Sequence, residues 1–266
     1  MAEKFVIIGA GVAGLTAAIA LRELGKEVEI YERAPQLKGI GAGFGFAANA
    51  MQALDFLGLK NDVIDLGHFL DSYAIYAANG KVLTDPDTQA ISKVYKEDNF
   101  AINRGDLHQM LMAKIPTEII HLGKNAIALK QHPQSSLVHF DDGSQVEADY
   151  LLIADGVHSK LRQCLVPNSK PRYAGYTCWR AIIDNSTINL ATGSETWGAK
   201  GRFGMTPLVG NKIYWYACIN AAPKSKVFAQ YKVADLLPHF SNYHQPIPQI
   251  LAETKDEQLL WNDIVD

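Results

Sequence analysis

Three glycines and one acid carry the clearest chemistry in this chain. Gly9, Gly11 and Gly14 stand in G-x-G-x-x-G spacing. The first glycine permits a tight turn, the second lets backbone approach a pyrophosphate, and the third allows a helix to pack closely on a strand. Glu32, with Arg33 beside it, follows about 20 residues on, where a carboxylate grips a ribose 2′-hydroxyl and repels a 2′-phosphate. The elements that must position these groups are legible around them. Phe5 to Ile8 is a continuous apolar run that predicts a parallel strand buried on both faces. Val12 to Leu24 is apolar on nearly all sides and predicts a buried helix, capped by Gly25. Val28 to Tyr31 predict a second strand, closed by Glu32. The helix N-terminus, with its free N–H groups and positive dipole end, attracts a diphosphate. The unit is therefore built for an adenine dinucleotide.

Up to Glu32, NAD and FAD fit equally well. The glycines that follow, Gly39, Gly41, Gly43 and Gly45, predict a long flexible loop over a ligand larger than a passing nucleotide. A helical pattern then runs from Asn49 through Met51, Leu54 and Leu57, and Gly58 ends it. Further on, "AINRGDLHQMLMAKI" places Arg104 at a helix entry, with Asp106 as N-cap and Leu107, Leu111 and Ile115 on the buried face. "VEADYLLIADGVHSKLR" is an apolar strand that ends in Asp155-Gly156 and leads into a helix start with Ser159 and Arg162.

Other chemistries find little support. Asp155, His158 and Ser159 lie too close together for a serine triad, and no G-x-S-x-G elbow is present. The histidines show no metal-ligand spacing, so no metal site is expected. Cys164, Cys178 and Cys218 are far apart, as expected of reduced thiols in a cytoplasmic protein. The chain has 266 residues, 48% hydrophobic and 20% charged, with a net charge of −3. That is an ordinary globular composition without a basic footprint for nucleic acid. The apolar N-terminal run leads straight into a glycine turn, so neither a signal peptide nor a membrane span is expected.

The three motifs, in this order, resemble the group A flavoprotein monooxygenases, the para-hydroxybenzoate hydroxylase-like enzymes. "YTCWRAII" and "GRFGMTPLVGNKIYWY" are most similar to the branch holding urate and salicylate hydroxylases and zeaxanthin epoxidase. The resemblance implies a Rossmann-like FAD-binding domain of glutathione reductase type, over 1–70 and 100–173. An α+β substrate domain with an antiparallel sheet, over 71–99 and 174–266, would be interleaved with it. It implies that Gly9, Gly11, Gly14, Glu32, Arg33, Gly43, Arg104, Asp155 and Gly156 bind FAD. NADH or NADPH and O2 would be co-substrates, and a small aromatic or unsaturated substrate would be oxygenated through a flavin C4a-hydroperoxide. The region holding Trp179, Arg180, Arg202, Phe203 and Tyr214 would form the substrate pocket; Trp179 and Phe203 read equally well as core. Arg202 and Tyr214 are the preferred contacts for an anionic or enolic ring. The family's later "GD" segment has no counterpart before "LLWNDIVD", so the chain reads as truncated. A flavin-dependent reductase, or an FAD-binding remnant without turnover, are the alternatives.

Overall fold

A computed structural model describes residues 3–37, 39 and 42–266. The chain divides into two compact units. One comprises Met1–Gly39, Leu107–Arg172 and Asp266; the other comprises Ile40–Asp106 and Tyr173–Val265.

The first unit is Rossmann-like. Strands β1 (Lys4–Ile8), β2 (Glu27–Glu32), β8 (Ile120–Leu122) and β12 (Tyr150–Ile153) form a parallel sheet in the order β12-β1-β2-β8. The apolar run of β1 takes the central position, and Val6 and Ile7 are fully buried there. Helix α1 (Val12–Glu23) connects β1 to β2. Gly25, at φ +70°, lets its own N–H and that of Lys26 return to the carbonyls of Arg22 and Leu21, which ends the helix. Only one stripe of α1 is buried, Gly14, Leu15, Ala18 and Ile19. The expectation of all-round burial is corrected: alanine and glycine make the sequence look uniformly apolar, but they do not require burial. A meander of β9 (Ala126–Gln131), β10 (Ser136–Phe140) and β11 (Gln145–Ala148) turns at the "DDGS" segment, where Gly143 has φ +82°. Its Val138 and Phe140 pack with Val6, Ile8 and Leu161, the last from α6 (Lys160–Leu165).

The second unit is α+β. A small antiparallel sheet joins β3 (Gly43–Phe46), β7 (Phe100–Asn103) and β4 (Gly67–Phe69). Helices α2 (Ala48–Phe56), α3 (Lys60–Leu66) and α4 (Thr88–Tyr95) lie in the same stretch of chain, and Asp87 caps α4 through the Ala90 N–H. A seven-stranded sheet follows, made of β5 (Tyr73–Ala77), β6 (Val82–Thr84), β13 (Tyr173–Asp184), β14 (Gly193–Gly198), β15 (Gly201–Leu208), β16 (Lys212–Asn220) and β17 (Leu260–Val265). Its order is β17-β13-β16-β15-β14-β5-β6, antiparallel except between β14 and β5. Side chains alternate between its two faces. Trp179, Phe203 and Trp215 point to one face, where α7 (Val233–Phe240) and α8 (Ile247–Glu253) cover them with Leu236, Phe240 and Ile250.

Three local expectations change. Gly43 and Gly45 belong to a strand rather than a flexible loop, held by the register Gly43↔Asn103 and Gly45↔Ala101. Gly41 lies outside the described residues. Asp106 sits inside the first turn of α5 (Arg104–Ala113), while the Asn103 carboxamide accepts the Gly105 N–H at 2.8 Å and does the capping. The sequence "VFAQYKVADLLPHF" predicts one helix over 227–240, but the helix begins only at Val233, after a short 3-10 turn at Phe228–Gln230. In the contact division, 40–70 and 100–106 fall with the second unit, because β3, β4 and β7 pair with one another.

Candidate functional sites

The glycine turn in the first unit is formed by three different constraints. Gly9 has φ +108°, and a Cβ there would lie 2.4 Å from the Ala154 carbonyl oxygen. A Cβ on Gly14 would lie 1.9 Å from the Gly9 carbonyl oxygen, so α1 can pack this closely only with glycine. Gly11 is different. Its φ of −77° suits any residue, and nothing lies within 4 Å of its Cβ position. The open space lies at the head of α1, whose N-cap has no side-chain hydrogen bond. Uncapped amides facing open space are what a diphosphate needs.

Glu32 ends β2 beside this turn. Its two carboxylate oxygens accept the Ala10 and Ala34 N–H groups, each at 2.8 Å. The acid is thereby fixed in place, and each oxygen keeps lone pairs for a ribose hydroxyl. His108, from α5, reaches the Ala10 carbonyl at 2.7 Å through Nε2. A carbonyl can only accept, so Nε2 carries the proton. Sequence reasoning missed His108, because a lone histidine inside an amphipathic helix gives no spacing signal. Arg33 follows Glu32 and is exposed.

At the end of β12, Ala154 donates to the Ile8 carbonyl and Gly156 turns the chain at φ +88°. Ser159 caps α6 through the Arg162 N–H at 2.9 Å. Asp155 Oδ1 is buried without a hydrogen-bond partner, and so is Arg162 Nε. Buried polar atoms are normally paired, so an orphaned acceptor at a strand end suits a hydroxyl-bearing ligand. The open space at Gly11, the uncapped helix and the orphaned Asp155 oxygen together fit an FAD-type dinucleotide.

In the second unit, Arg104 is exposed at the start of α5, with its guanidinium 5.8 Å from the Phe44 ring. Phe44 and Gly43 belong to the wall of a cavity of about 580 Å³, which also includes Phe46, Phe100, Tyr214 and Tyr216. Two glycines make room for the tyrosines. A Cβ on Gly43 would lie 2.1 Å from Tyr214 Cδ1, and one on Gly204 would lie 2.1 Å from Tyr216 Cζ. Burial pushes the Tyr214 phenol up to about 12, and the nearby Arg180 charge opposes this. Burial also raises Tyr216, with contributions from Tyr73 and Glu195.

Of the expected pocket residues, Tyr214 lines this cavity and the other four do not. Trp179 is fully buried on the opposite face, stacked against Tyr231. The period-2 alternation of β13 puts it there, and the expectation that it contacts substrate is corrected. Arg180 Nε is buried without a partner. Arg202 lines a separate depression of about 340 Å³ with Tyr176 and Cys218. It lies over the Tyr176 ring at 5.0 Å and pairs with Glu195 at 3.4 Å. Glu195 was missed because only the fold brings β14 beside β15. The Tyr216 hydroxyl donates to Glu195 Oε2, and Trp197 Nε1 donates to Oε1 at 2.6 Å. Cys178 and Cys218 are cross-strand partners, both buried. Their mutual hydrogen bond holds the Cys178 thiol below its usual value and pushes Cys218 up.

Fold and cradle together define a dinucleotide-binding α/β protein that also carries an antiparallel sheet with a ligand-sized cavity. Residues 3–182 match the family model described as an FAD binding domain. Over 262 residues the chain is 33% identical to the aurachin C monooxygenase/isomerase of Stigmatella aurantiaca, covering 98% of this chain and 68% of that protein. It is 28% identical to the 3-amino-4-hydroxybenzoate 2-monooxygenase of Streptomyces cremeus, covering 94% of this chain and 64% of that protein. The chain thus spans about two thirds of the length of these relatives. Klebsiella pneumoniae HpxO, solved with FAD and uric acid, shares the fold at a TM-score of 0.88 and 23% identity, over 99% of this chain and 68% of that one. The chain belongs to the FAD-binding domain family, among the group A FAD-dependent monooxygenases.

Proposed function

We propose that this chain forms the FAD site and the substrate pocket of a monooxygenase that oxygenates a small aromatic or unsaturated compound. Substrate, O2, NADH or NADPH and one proton would give oxygenated substrate, NAD(P)+ and water. FAD, when bound, supplies the oxygen-activating redox chemistry. The protein's tasks are binding, orientation and exclusion of water. The α1 amides beyond Gly11 would take the pyrophosphate, Glu32 the adenosine ribose, and Asp155 a hydroxyl of the cofactor. Arg33, Arg104, Gly43 and Gly156 are proposed to border the cofactor. His108 would hold the glycine turn through the Ala10 carbonyl. The cavity beside Tyr214 and Tyr216 would take the substrate ring; its volume suits a small aromatic.

The observation that carries this reading is the open space at Gly11 in a turn otherwise packed to contact. Its support from known proteins is that the named relatives are monooxygenases. The test is titration of the purified chain with FAD, followed by paired measurement of NAD(P)H oxidation and O2 uptake over a panel of aromatic compounds. Quenching of FAD fluorescence and substrate-stimulated O2 uptake are expected. Failure to take up FAD would overturn the cofactor assignment. Substrate turnover under anaerobic conditions would replace the monooxygenase with a reductase.

A further inference from the structure

The direction of hydrogen bonds around the cavity is set by an acid that does not line it. Glu195 is nearly buried, with side-chain exposure of 13%. Its carboxylate collects three donors: the Tyr216 hydroxyl, Trp197 Nε1 and Arg202 Nη1. The single Tyr216 proton is thereby committed, and the Tyr216 oxygen can only accept from other groups. Tyr73 and Tyr216 lie 3.4 Å apart, oxygen to oxygen. With the Tyr216 proton taken, Tyr73 must be the donor in that contact, and its own oxygen is left with lone pairs. Both tyrosines belong to the cavity wall. That stretch of wall therefore presents acceptors. The described lining residues include no Lys, Arg or His to meet an anion. Arg202 is turned toward Glu195, and Arg180 lies outside the lining.

We infer that Glu195 is the specificity-determining residue: by taking the Tyr216 proton it makes the cavity select an uncharged aromatic ring that presents an N–H or O–H, and turn away carboxylate-bearing rings. The inference rests on the proposed reading of this cavity as the substrate pocket. A donor on the ligand completes the Tyr216 or Tyr73 lone pairs. A carboxylate brings only acceptors to those lone pairs and finds no proton there, a loss of order tenfold in affinity. Glu195 acts through Tyr216 and is a positioning residue, not a catalytic one.

Three probes separate the terms: 4(1H)-quinolone, its N-methyl derivative and 4-hydroxybenzoate. Binding to the purified full chain is read by isothermal calorimetry, so the result does not depend on turnover. The quinolone is expected to bind about tenfold tighter than either of the others. The cavity has room for the added methyl group, so the N-methyl probe reports the lost donor rather than size. Glu195→Gln should shrink the quinolone-to-benzoate ratio about tenfold, because the amide can donate to the Tyr216 oxygen and free its proton for the cavity. Tyr216→Phe should shrink the advantage of N–H over N-methyl, because Tyr73 is the one acceptor left of the pair. If Glu195→Gln does not fold, the Tyr216→Phe arm decides alone. Equal or tighter binding of 4-hydroxybenzoate by the unmodified chain overturns the inference, as do ratios unmoved by the variants. If the ratios behave as expected but no probe stimulates NAD(P)H oxidation, the specificity stands and the monooxygenase reading falls.

Discussion

Gly11 and Gly14 look alike in sequence, yet substitution at the two should break different things. At Gly14 the incoming Cβ would lie 1.9 Å from the Gly9 carbonyl oxygen and 3.3 Å from Ile7 Cγ2. An ordinary contact is near 3.4 Å, so α1 and the turn would have to separate by about 1.5 Å. They are joined by only a few residues and cannot do so freely. Gly14→Ala should therefore cost about 3 kcal/mol in stability, the upper part of the usual overpacking range. At Gly11 the backbone is already compatible with a side chain, and the Cβ position is open. Gly11→Val should change the stability of the cofactor-free protein by less than about 1 kcal/mol, since reduced freedom of the unfolded chain offsets a poorer helix cap. It should weaken FAD about a hundredfold, or about 2.7 kcal/mol, by occupying the space the pyrophosphate needs. Urea unfolding of the cofactor-free variants measures the first quantity, and FAD fluorescence titration measures the second. Equal destabilisation by the two substitutions would refute the packing argument. Undiminished FAD affinity in Gly11→Val would refute the cradle as the pyrophosphate site.

Other outcomes follow from single contacts. Glu32→Gln leaves one oxygen to serve the two backbone donors of Ala10 and Ala34, so it should cost about 1–3 kcal/mol by urea unfolding and weaken FAD as well. Trp179→Ala empties a fully buried site and should cost about 3–5 kcal/mol, whereas Trp197→Ala, at a position 47% exposed, should cost under about 1 kcal/mol; similar losses would mean the two faces of the sheet are wrongly assigned. Tyr214 is raised to about 12 in the folded protein, against about 10 when unfolded. Its contribution is fully present below pH 10 and is lost as pH rises toward 12, because the unfolded phenol ionises first. That amounts to about 2 kcal/mol, and Tyr214→Phe should flatten the alkaline end of the stability profile by that much.

The dinucleotide cradle was legible because its logic is local. Strand, glycine turn, helix and terminal acid are contiguous from β1 to Glu32, and each residue's role depends on near neighbours in the chain. The buried stripe Leu107, Leu111 and Ile115 follows for the same reason: periodicity acts over a few residues. Gly43 and Gly45 misled because glycine marks two different needs. In the sequence they indicate freedom, whereas in the structure Gly43 is held in a strand so that the Tyr214 ring can lie against it.

Short-range pattern thus determined the strand, glycine turn, helix and second strand of the nucleotide-binding unit, with Glu32 at its end. Tertiary structure alone decided which sheet face each β13 residue takes, and so removed Trp179 from the pocket. It alone brought Glu195 on β14 to Tyr216 on β16 and Arg202 on β15, and His108 to the Ala10 carbonyl. The physical reason is that a hydrogen bond or a cavity wall needs atoms within a few ångströms. Residues distant in sequence acquire that closeness only when strand register and helix packing are set by burial of the core.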